Sequence, residues 1–290
     1  MFRSSDNGKN WKPVESEMDL YISTLAFSGT NLYATGRNKV YISKDLGESW
    51  ISVSNGLPNK NVNSIGVVGT NIIAGIQNGG AYISLDSGNN WSAINAGFID
   101  RTVYTFITVG NTIFTGTESG VYLSSDNGIS WASSNIGISA SIISFTVQGT
   151  NIYAGSRYNG EVYLSTNLGA SWSKFKTSLT LQNIRSLFTI DSNVFVGTDS
   201  NLFVTSINSP GWIKVDSGLP KCRVYSLFKI GTNFIAGTDK DVMLSTDEGK
   251  SWNESNNGLS GTITMCFTQN GKISSQELVI MACSCQQMKG

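Results

Sequence analysis

Residues 62–91 of this 290-residue chain read VNSIGVVGTNIIAGIQNGGAYISLDSGNNW. Short runs of β-branched and aromatic residues alternate in this stretch with turns of Gly, Asn and Asp. We predict four strands here, at Val62–Val68, Asn71–Ile76, Ala81–Ser84 and Asn90–Ile94. No part of the chain carries apolar residues at helical spacing over about ten positions. The predicted class is therefore all-β.

The same order of strands and turns recurs along the whole chain, marked by a tryptophan every 39 to 41 residues. Five of the octets that end at these tryptophans follow Ser-x-Asp-x-Gly-x-x-Trp, a sixth has Asn167 in place of Asp, and TSINSPGW at 205–212 has lost both Asp and the usual Gly. We predict structural roles for the octet residues Asp6, Trp11, Asp45, Trp50, Asp86, Trp91, Asp126, Trp131, Asn167, Trp172, Trp212, Asp247 and Trp252.

A four-stranded unit of about 40 residues cannot bury both of its faces alone, but units arranged around an axis bury each other. This predicts a single β-propeller with seven blades of four antiparallel strands. Six repeats are complete, and the seventh blade is closed by strands from both termini, since residues 1–11 supply a third strand and an octet and Thr262–Thr268 matches a first strand. The expected propeller domain covers residues 1–273.

The tail at residues 274–290 departs from the repeat. Its apolar run Leu278–Cys283 is a candidate strand that would complete the split blade. A non-native terminus, or a cut within a longer array, is an equally open interpretation.

The octets and their spacing resemble the Asp-box (BNR) repeat of sialidase-like propellers, a group that includes propellers similar to photosystem assembly factors. The resemblance spans nearly the whole chain. It implies that the octet closes the turn between the third and fourth strands, and the residues agree. Asp86 can accept backbone N–H groups, Gly88 can supply a positive φ, and Trp91 can pack into the blade. Calcium is disfavoured because one octet offers one or two oxygens where six to eight are needed. No metal or cofactor is expected.

The four cysteines occupy no repeated position. Free core thiols are the favoured interpretation for Cys222, Cys266, Cys283 and Cys285, and a disulfide between Cys266 and a tail cysteine is the alternative. The pair Cys283 and Cys285 would share one side of a strand, which is a poor metal site without a partner pair or histidine.

Composition removes several function classes. The chain has no histidine, which excludes histidine-based triads, dyads and zinc sites. Lys and Arg total 20 and so do Asp and Glu, so non-specific binding to nucleic acid is not expected. No run approaches the ~18 apolar residues that a membrane span requires, so membrane insertion is not expected either. We expect a monomer. No signal peptide is visible, so a native start at Met1 would place the chain in the cytoplasm. The family resemblance implies an extracytoplasmic protein.

The loops between second and third strands and between blades share one face of the predicted disc, and their sequences differ from repeat to repeat. Five of the six arginines fall there or at the adjacent channel mouth, with tyrosines beside them. Arginine suits recognition of carboxylate, phosphate or sulfate, and tyrosine can anchor a peptide or stack on a sugar. The candidate binding residues are Arg37, Arg101, Tyr104, Arg157, Tyr158, Arg185, Arg223 and Tyr225.

We therefore predict a non-catalytic scaffold that binds a protein or glycan on this face, with no catalytic residue. A glycoside hydrolase is the first alternative, because sialidases share the octet. Their three arginines and Tyr–Glu pair have candidates here, but their Arg-Ile-Pro segment is missing. A lectin is the second alternative, and it would need similar residues in every blade.

Overall fold

The computed structural model describes residues 1–14, 18, 22–176, 179, 182–215, 217–259, 262–269 and 280–286, with the backbone alone at 262–265, 269 and 280–286. This part of the chain contains strands and turns and no α-helix.

The strands form seven four-stranded antiparallel sheets, six of them from strands consecutive in sequence. Blade 1 contains β3 (Thr24–Ser28), β4 (Asn31–Thr35), β5 (Val40–Ser43) and β6 (Ile51–Ser52). Blade 2 contains β7 (Val62–Val68), β8 (Asn71–Ile76), β9 (Gly80–Ser84) and β10 (Ser92–Ala93). Blade 3 contains β11 (Val103–Val109), β12 (Thr112–Thr117), β13 (Gly120–Ser124) and β14 (Ala132–Ser133).

Blade 4 contains β15 (Ile142–Gln148), β16 (Asn151–Ser156), β17 (Val162–Ser165) and β18 (Ser173–Lys174). Blade 5 contains β19 (Ile184–Ile190), β20 (Asn193–Thr198), β21 (Leu202–Ser206) and β22 (Ile213–Val215). Blade 6 contains β23 (Val224–Ile230), β24 (Asn233–Thr238), β25 (Val242–Ser245) and β26 (Asn253–Glu254). The split blade joins β2 (Lys12–Pro13), β1 (Phe2–Ser4), β28 (Ile280–Gln286) and β27 (Thr262–Gln269), in that order.

The first strands of the sheets form the inner wall of the molecule. Each of β3, β7, β11, β15, β19 and β23 contacts the first strand of the next sheet, and β27 contacts both β23 and β3. The predicted all-β propeller of four-stranded antiparallel blades is confirmed. Blade 2 has its first two strands at the predicted bounds, whereas its fourth strand has two residues instead of five. Asn90 and Trp91 are not part of this strand, because their N–H groups have other acceptors. The Asn90 N–H donates to Asp86 Oδ1, and the Trp91 N–H donates to the Asn55 carbonyl of the preceding blade.

The octets form hydrogen-bonded turns with the same geometry in blade after blade. In blade 2, Ser84 Oγ accepts the Gly88 N–H at 2.7 Å, and Asp86 Oδ1 accepts both the Ser84 hydroxyl and the Asn90 N–H at 2.8 Å. Gly88 has φ +95°, where glycine is favoured. The same bonds recur around Asp6, Asp45, Asp126, Asn167 and Asp247.

The octet tryptophans connect neighbouring blades. The indole N–H groups of Trp91, Trp131 and Trp172 donate to carbonyls of the preceding blade at 2.7 to 2.9 Å. The sequence predicts that Trp91 packs into its own blade. In the structure its side chain is buried at the junction of that blade and the preceding one. The hydrophobic core follows the same rule, because its clusters join the facing sheets of adjacent blades.

The cysteines differ from one another in state. Cys222 is free and buried, and burial raises the pKa of its thiol to about 11. Cys266 is disulfide-bonded, so the preference for a free thiol at this position is wrong. In the strand register Cys266 lies opposite Cys283. The side chains of Cys283 and Cys285, and tail residues 274–279 and 287–290, lie outside the part of the chain that is described.

Candidate functional site

A central cavity of about 1020 Å³ lies inside the first strands. All seven of these strands contribute to its lining. Its polar end is formed by the beginnings of the first strands together with the residues that follow the second strands of blades 1 and 4. The polar side chains there include Arg37, Asn61, Asn63, Tyr104, Arg157, Arg185 and Tyr225. We call this end the channel mouth.

A β-bulge places a different side chain at the mouth in each of several blades. The pairing of β7, β11, β15, β19 and β23 with their second strands shifts register by one residue near the start of each first strand. A bulge leaves one residue unpaired and re-aims its side chain. The bulged residues are Asn63, Tyr104, Ile143, Arg185 and Tyr225, and all five line the channel.

Hydroxyl groups follow the bulges one residue further into the channel. Ser64, Thr105, Ser144, Ser186 and Ser226 all line it. Ser144 Oγ accepts the Leu187 N–H and Ser186 Oγ donates to the Val224 carbonyl, both at 2.9 Å. The buried oxygens of Ser64 and Ser226 have no hydrogen-bond partner among the residues described.

Arg157 is held between two tyrosines. Its guanidinium carbon lies 4.8 Å from the ring centroid of Tyr104 and 5.3 Å from that of Tyr158, within cation–π range. Arg157 Nη1 donates to the Tyr104 hydroxyl, which in turn donates to Glu118. Burial, followed by the hydrogen bond to Glu118, raises the pKa of Tyr104 to about 12. The phenol is consequently neutral at physiological pH, and the guanidinium is fixed in place.

A second cluster places two arginines around one carboxylate. Arg185 Nε donates to Asp199 Oδ1 at 2.5 Å, and Arg223 Nε lies 3.5 Å from the same oxygen. Asn183 Nδ2 donates to the other oxygen at 2.7 Å. Burial raises the pKa of Asp199, but the hydrogen bonds from Arg185 and Asn183 outweigh it and lower that pKa overall. One carboxylate thus orders two guanidinium groups and neutralises one of them.

The structure brings together most of the predicted binding residues but not all of them. Arg37, Tyr104, Arg157, Arg185 and Tyr225 line the channel. Tyr158 and Arg223 flank it through their contacts with Arg157 and Asp199, and their side chains are about half exposed. Arg101 does not line the channel, and its carbonyl accepts the Gly80 N–H at 2.7 Å.

Sequence reasoning missed Asn61 and Asn63 as mouth residues. The available signal was the repeat position just before the small hydroxyl residue, which reads Asn, Tyr, Ile, Arg and Tyr in blades 2 to 6. No group of three or more His, Cys, Asp or Glu able to hold a metal ion occurs in the described ranges. Within the same ranges no helix is long and apolar enough to cross a membrane.

No protein-family model and no curated protein matches the chain. Solved structures do match. YCF48 from Cyanidioschyzon merolae is 17% identical, with a TM-score of 0.75 over 95% of this chain and 97% of that one. A structure of YCF48 bound to D1 peptide is 13% identical, with a TM-score of 0.71 over 93% of this chain and 94% of that one.

A third similar structure is the extracellular domain of a putative one-component system from B. thetaiotaomicron. It is 14% identical, with a TM-score of 0.72 over 90% of this chain and 38% of that one. At these identities the similarity concerns the fold, and the chain shares the β-propeller architecture of all three proteins.

Proposed function

We propose that this protein is a non-catalytic scaffold, a closed seven-bladed propeller of the Asp-box type that binds an acidic segment of a protein partner at the channel mouth. The observation that carries the proposal is the pair of ordered arginine clusters, Arg157 between two tyrosines and Arg185 with Arg223 on Asp199. Guanidinium groups held by neighbours lose little conformational entropy when they bind a carboxylate.

The charge balance at the mouth favours an anionic partner. Arg185 and Arg223 share the single carboxylate of Asp199, and Arg157 reaches Glu118 only through the Tyr104 hydroxyl, so these guanidinium groups keep donors for a further anion. The tyrosines add surface suited to apolar side chains. The fold similarity to a YCF48 that binds a D1 peptide supports a peptide over a glycan.

Two further features of the proposal concern the chain as a whole. We propose that the strand β28 from the tail belongs to the propeller domain and completes its split blade, and that the protein acts as a monomer. We also propose an extracytoplasmic location. The disulfide at Cys266 supports it, since disulfides persist in oxidising compartments.

The test uses fluorescence anisotropy with a fluorescein-labelled peptide of alternating Glu and Gly, and its Gln–Gly counterpart as the uncharged control. We expect the acidic peptide alone to bind, with an affinity that falls as salt rises. The double variant Arg157→Gln, Arg185→Gln should lose at least about tenfold in affinity. Arg3→Gln is the matched control, because Arg3 pairs with Glu48 away from the mouth at 2.8 Å. Equal binding by the double variant and the control would refute the proposed site.

A sialidase-like hydrolase is the second candidate, favoured by the hydrogen bond between Tyr104 and Glu118 beside the arginines. Against it stands the raised pKa of Tyr104, about 12, which opposes ionisation of a nucleophile. Turnover of a fluorogenic sialoside that disappears in Tyr104→Phe would establish this candidate and overturn the scaffold. A lectin with one site per blade is less well supported, because among the five bulged residues only tyrosine occurs twice.

A further inference from the structure

A second cavity, of about 380 Å³, opens between blades 5 and 6 away from the channel mouth. Its apolar lining includes Phe195, Val204, Val215 and Phe234. The rings of Phe195 and Phe234 are perpendicular, with centroids 5.8 Å apart. Cavities of roughly 300 to 1,000 Å³ are typical of small-molecule sites, so this one is large enough for a compact ligand.

The cavity lies where the octet turn of blade 6 stands away from the fourth strand of blade 5, although Gly218 contacts Trp252 at this junction as its counterparts do elsewhere. A Cβ added at Gly88 or Gly128 would meet the preceding blade, Val53 at 2.8 Å and Ile94 at 3.0 Å. At Gly249, the equivalent octet glycine of blade 6, the contact with the preceding blade comes from Phe195 of β20 at 3.6 Å, and no atom of β22 is among the three nearest. At the earlier junctions Val53 and Ile94, which follow β6 and β10, fill the space beside the octet glycine. The corresponding space beside β22 is open.

Two side-chain contacts of the junction between blades 1 and 2 are absent here, and the indole contact is absent at Trp50 as well, since that side chain donates to Gly47 of its own turn at 3.1 Å. The Trp252 indole N–H donates at 3.2 Å to Gly249 of its own turn, whereas Trp91 reaches the carbonyl of Val53 in the preceding blade at 2.7 Å. At the junction of blades 1 and 2, the Tyr33 hydroxyl donates to the carbonyl of Ser87 at 3.3 Å. Phe195 occupies the position of Tyr33 in blade 5 and has no hydroxyl with which to reach Glu248.

The rim of the cavity carries charges of both signs. Asp191 and Glu248 are acidic, and Lys214 and Lys250 are basic. Asp191 also pairs with Lys229 at 2.7 Å. The rings of Phe195 and Phe234 are each only 2% exposed, so a ligand ring would contact their edges, and edge-to-face contact is an arrangement that aromatic pairs prefer. A ligand with one aromatic ring and a zwitterionic group therefore matches both the apolar lining and the charged rim of the cavity.

We propose that the cavity between blades 5 and 6 binds a free aromatic amino acid. The ring lies against Phe195 and Phe234, the carboxylate faces Lys214 and Lys250, and the ammonium faces Asp191 and Glu248. This site is separate from the channel mouth and does not depend on the function proposed for it.

Fluorine NMR of the full chain labelled with 5-fluorotryptophan tests the proposal, because the Trp252 indole N–H donates to the carbonyl of Gly249, which lines the cavity. L-phenylalanine should shift the Trp252 signal saturably, with a dissociation constant of about 1 mM or lower. L-leucine should leave it unmoved, because it has the same charges and no ring. N-acetyl-L-phenylalaninamide, which has the ring and neither charge, should bind at least tenfold more weakly.

Val204→Phe should abolish binding by filling the cavity, and Leu123→Phe, the same position in β13, should preserve it. Lys250→Gln changes an exposed side chain and should weaken binding severalfold without affecting folding. No saturable shift with L-phenylalanine, or equal binding of L-leucine, would overturn the proposal. Equal binding of the acetyl amide would also overturn it, and would assign the cavity to an aromatic residue of a peptide.

Discussion

Gly97 has a backbone conformation and a location that exclude a side chain. Its φ is +87°, and an added Cβ would lie 1.9 Å from the carbonyl oxygen of Trp131 in the next blade. Equivalent glycines at 56, 137, 218 and 258 approach the octet tryptophan of the next blade in the same way. The close approach brings the loop after the fourth strand of blades 1, 2, 3, 5 and 6 onto the following blade.

We expect Gly97→Ala to lower the free energy of unfolding by about 3 kcal/mol or more, because strain and a backbone clash act together. Gly110→Ala is the matched control, since Gly110 has φ +60° and no atom within 4 Å of an added Cβ. It should cost only about 1 to 2 kcal/mol for the left-handed backbone. Urea unfolding measures both values, and equal losses would show that the junction contact carries no energy.

The octet carboxylates should make stability depend on acid pH. Hydrogen bonds from Ser124 and Ser130 lower the pKa of Asp126 from 3.8 to about 2 in the folded protein. A lowered folded pKa means that the ionised carboxylate stabilises the fold above pH 3.8, and that this contribution is lost as the pH falls toward 2.

Asp126→Asn removes the titration while keeping the turn, because Asn167 already makes the same bonds in blade 4. We expect the wild-type protein to be more stable than this variant at pH 6, with the difference shrinking between pH 4 and 2. Thermal unfolding followed by circular dichroism across this range measures the difference. Asp126→Ala, which loses the bonds at every pH, is the control. A constant gap between wild type and Asp126→Asn would contradict the pKa assignment.

At the scale of elements, the degenerate turn of blade 5 has a substitute for the missing carboxylate. Lys176, from the preceding blade, donates through Nζ to the carbonyls of Ile207 at 2.8 Å and Ser209 at 2.5 Å. Within the turn, Thr205 donates to the Gly211 carbonyl at 2.7 Å. In blade 5 the Lys176 ammonium therefore donates to carbonyl oxygens of the turn, whereas in the octets that keep Asp the carboxylate accepts from N–H groups of the turn.

Lys176→Met should therefore destabilise the protein by about 1 to 2 kcal/mol, since hydrogen bonds to a charged group are lost. Lys174→Met is the control two residues earlier. Lys174 pairs with Glu161 but is largely exposed, so its loss should cost about 0.5 kcal/mol or less. Chemical unfolding of the two variants gives the comparison, and similar small losses would mean that Lys176 does not support the turn.

The sequence predicted the bounds of the strands better than the residues that line the channel mouth. Strand periodicity and the octets are local signals, so β7 and β8 match their predicted bounds residue for residue. The bulges that aim Tyr104 and Arg185 into the channel arise from the offset between two paired strands, which no single strand encodes. The cavity at Phe195 was equally hidden, because it depends on how two blades meet.

At the scale of the whole molecule, ring closure depends on a strand outside the repeat pattern. β28 pairs with β27 on one side and with β1 on the other, so it joins the two ends of the chain within one sheet. Stability in repeat architectures is approximately a sum of unit and interface contributions, and an open ring loses interfaces. The ladder hydrogen bonds of β28 should therefore hold the ring closed.

A chain ending at residue 279, which removes β28, should lose at least about 3 kcal/mol of stability relative to a chain ending at residue 286. It should also become sensitive to limited proteolysis in β1 and β27, whose edges lose their partner. Full-length Cys266→Ser separates the two causes, because it removes the disulfide and keeps the strand. If Cys266→Ser reproduces the whole loss, the covalent bond closes the ring; if it retains most of the stability and protection, the strand pairing does. Equal stability of the 279 and 286 chains would show that contacts between the first strands β27 and β3 close the ring without either.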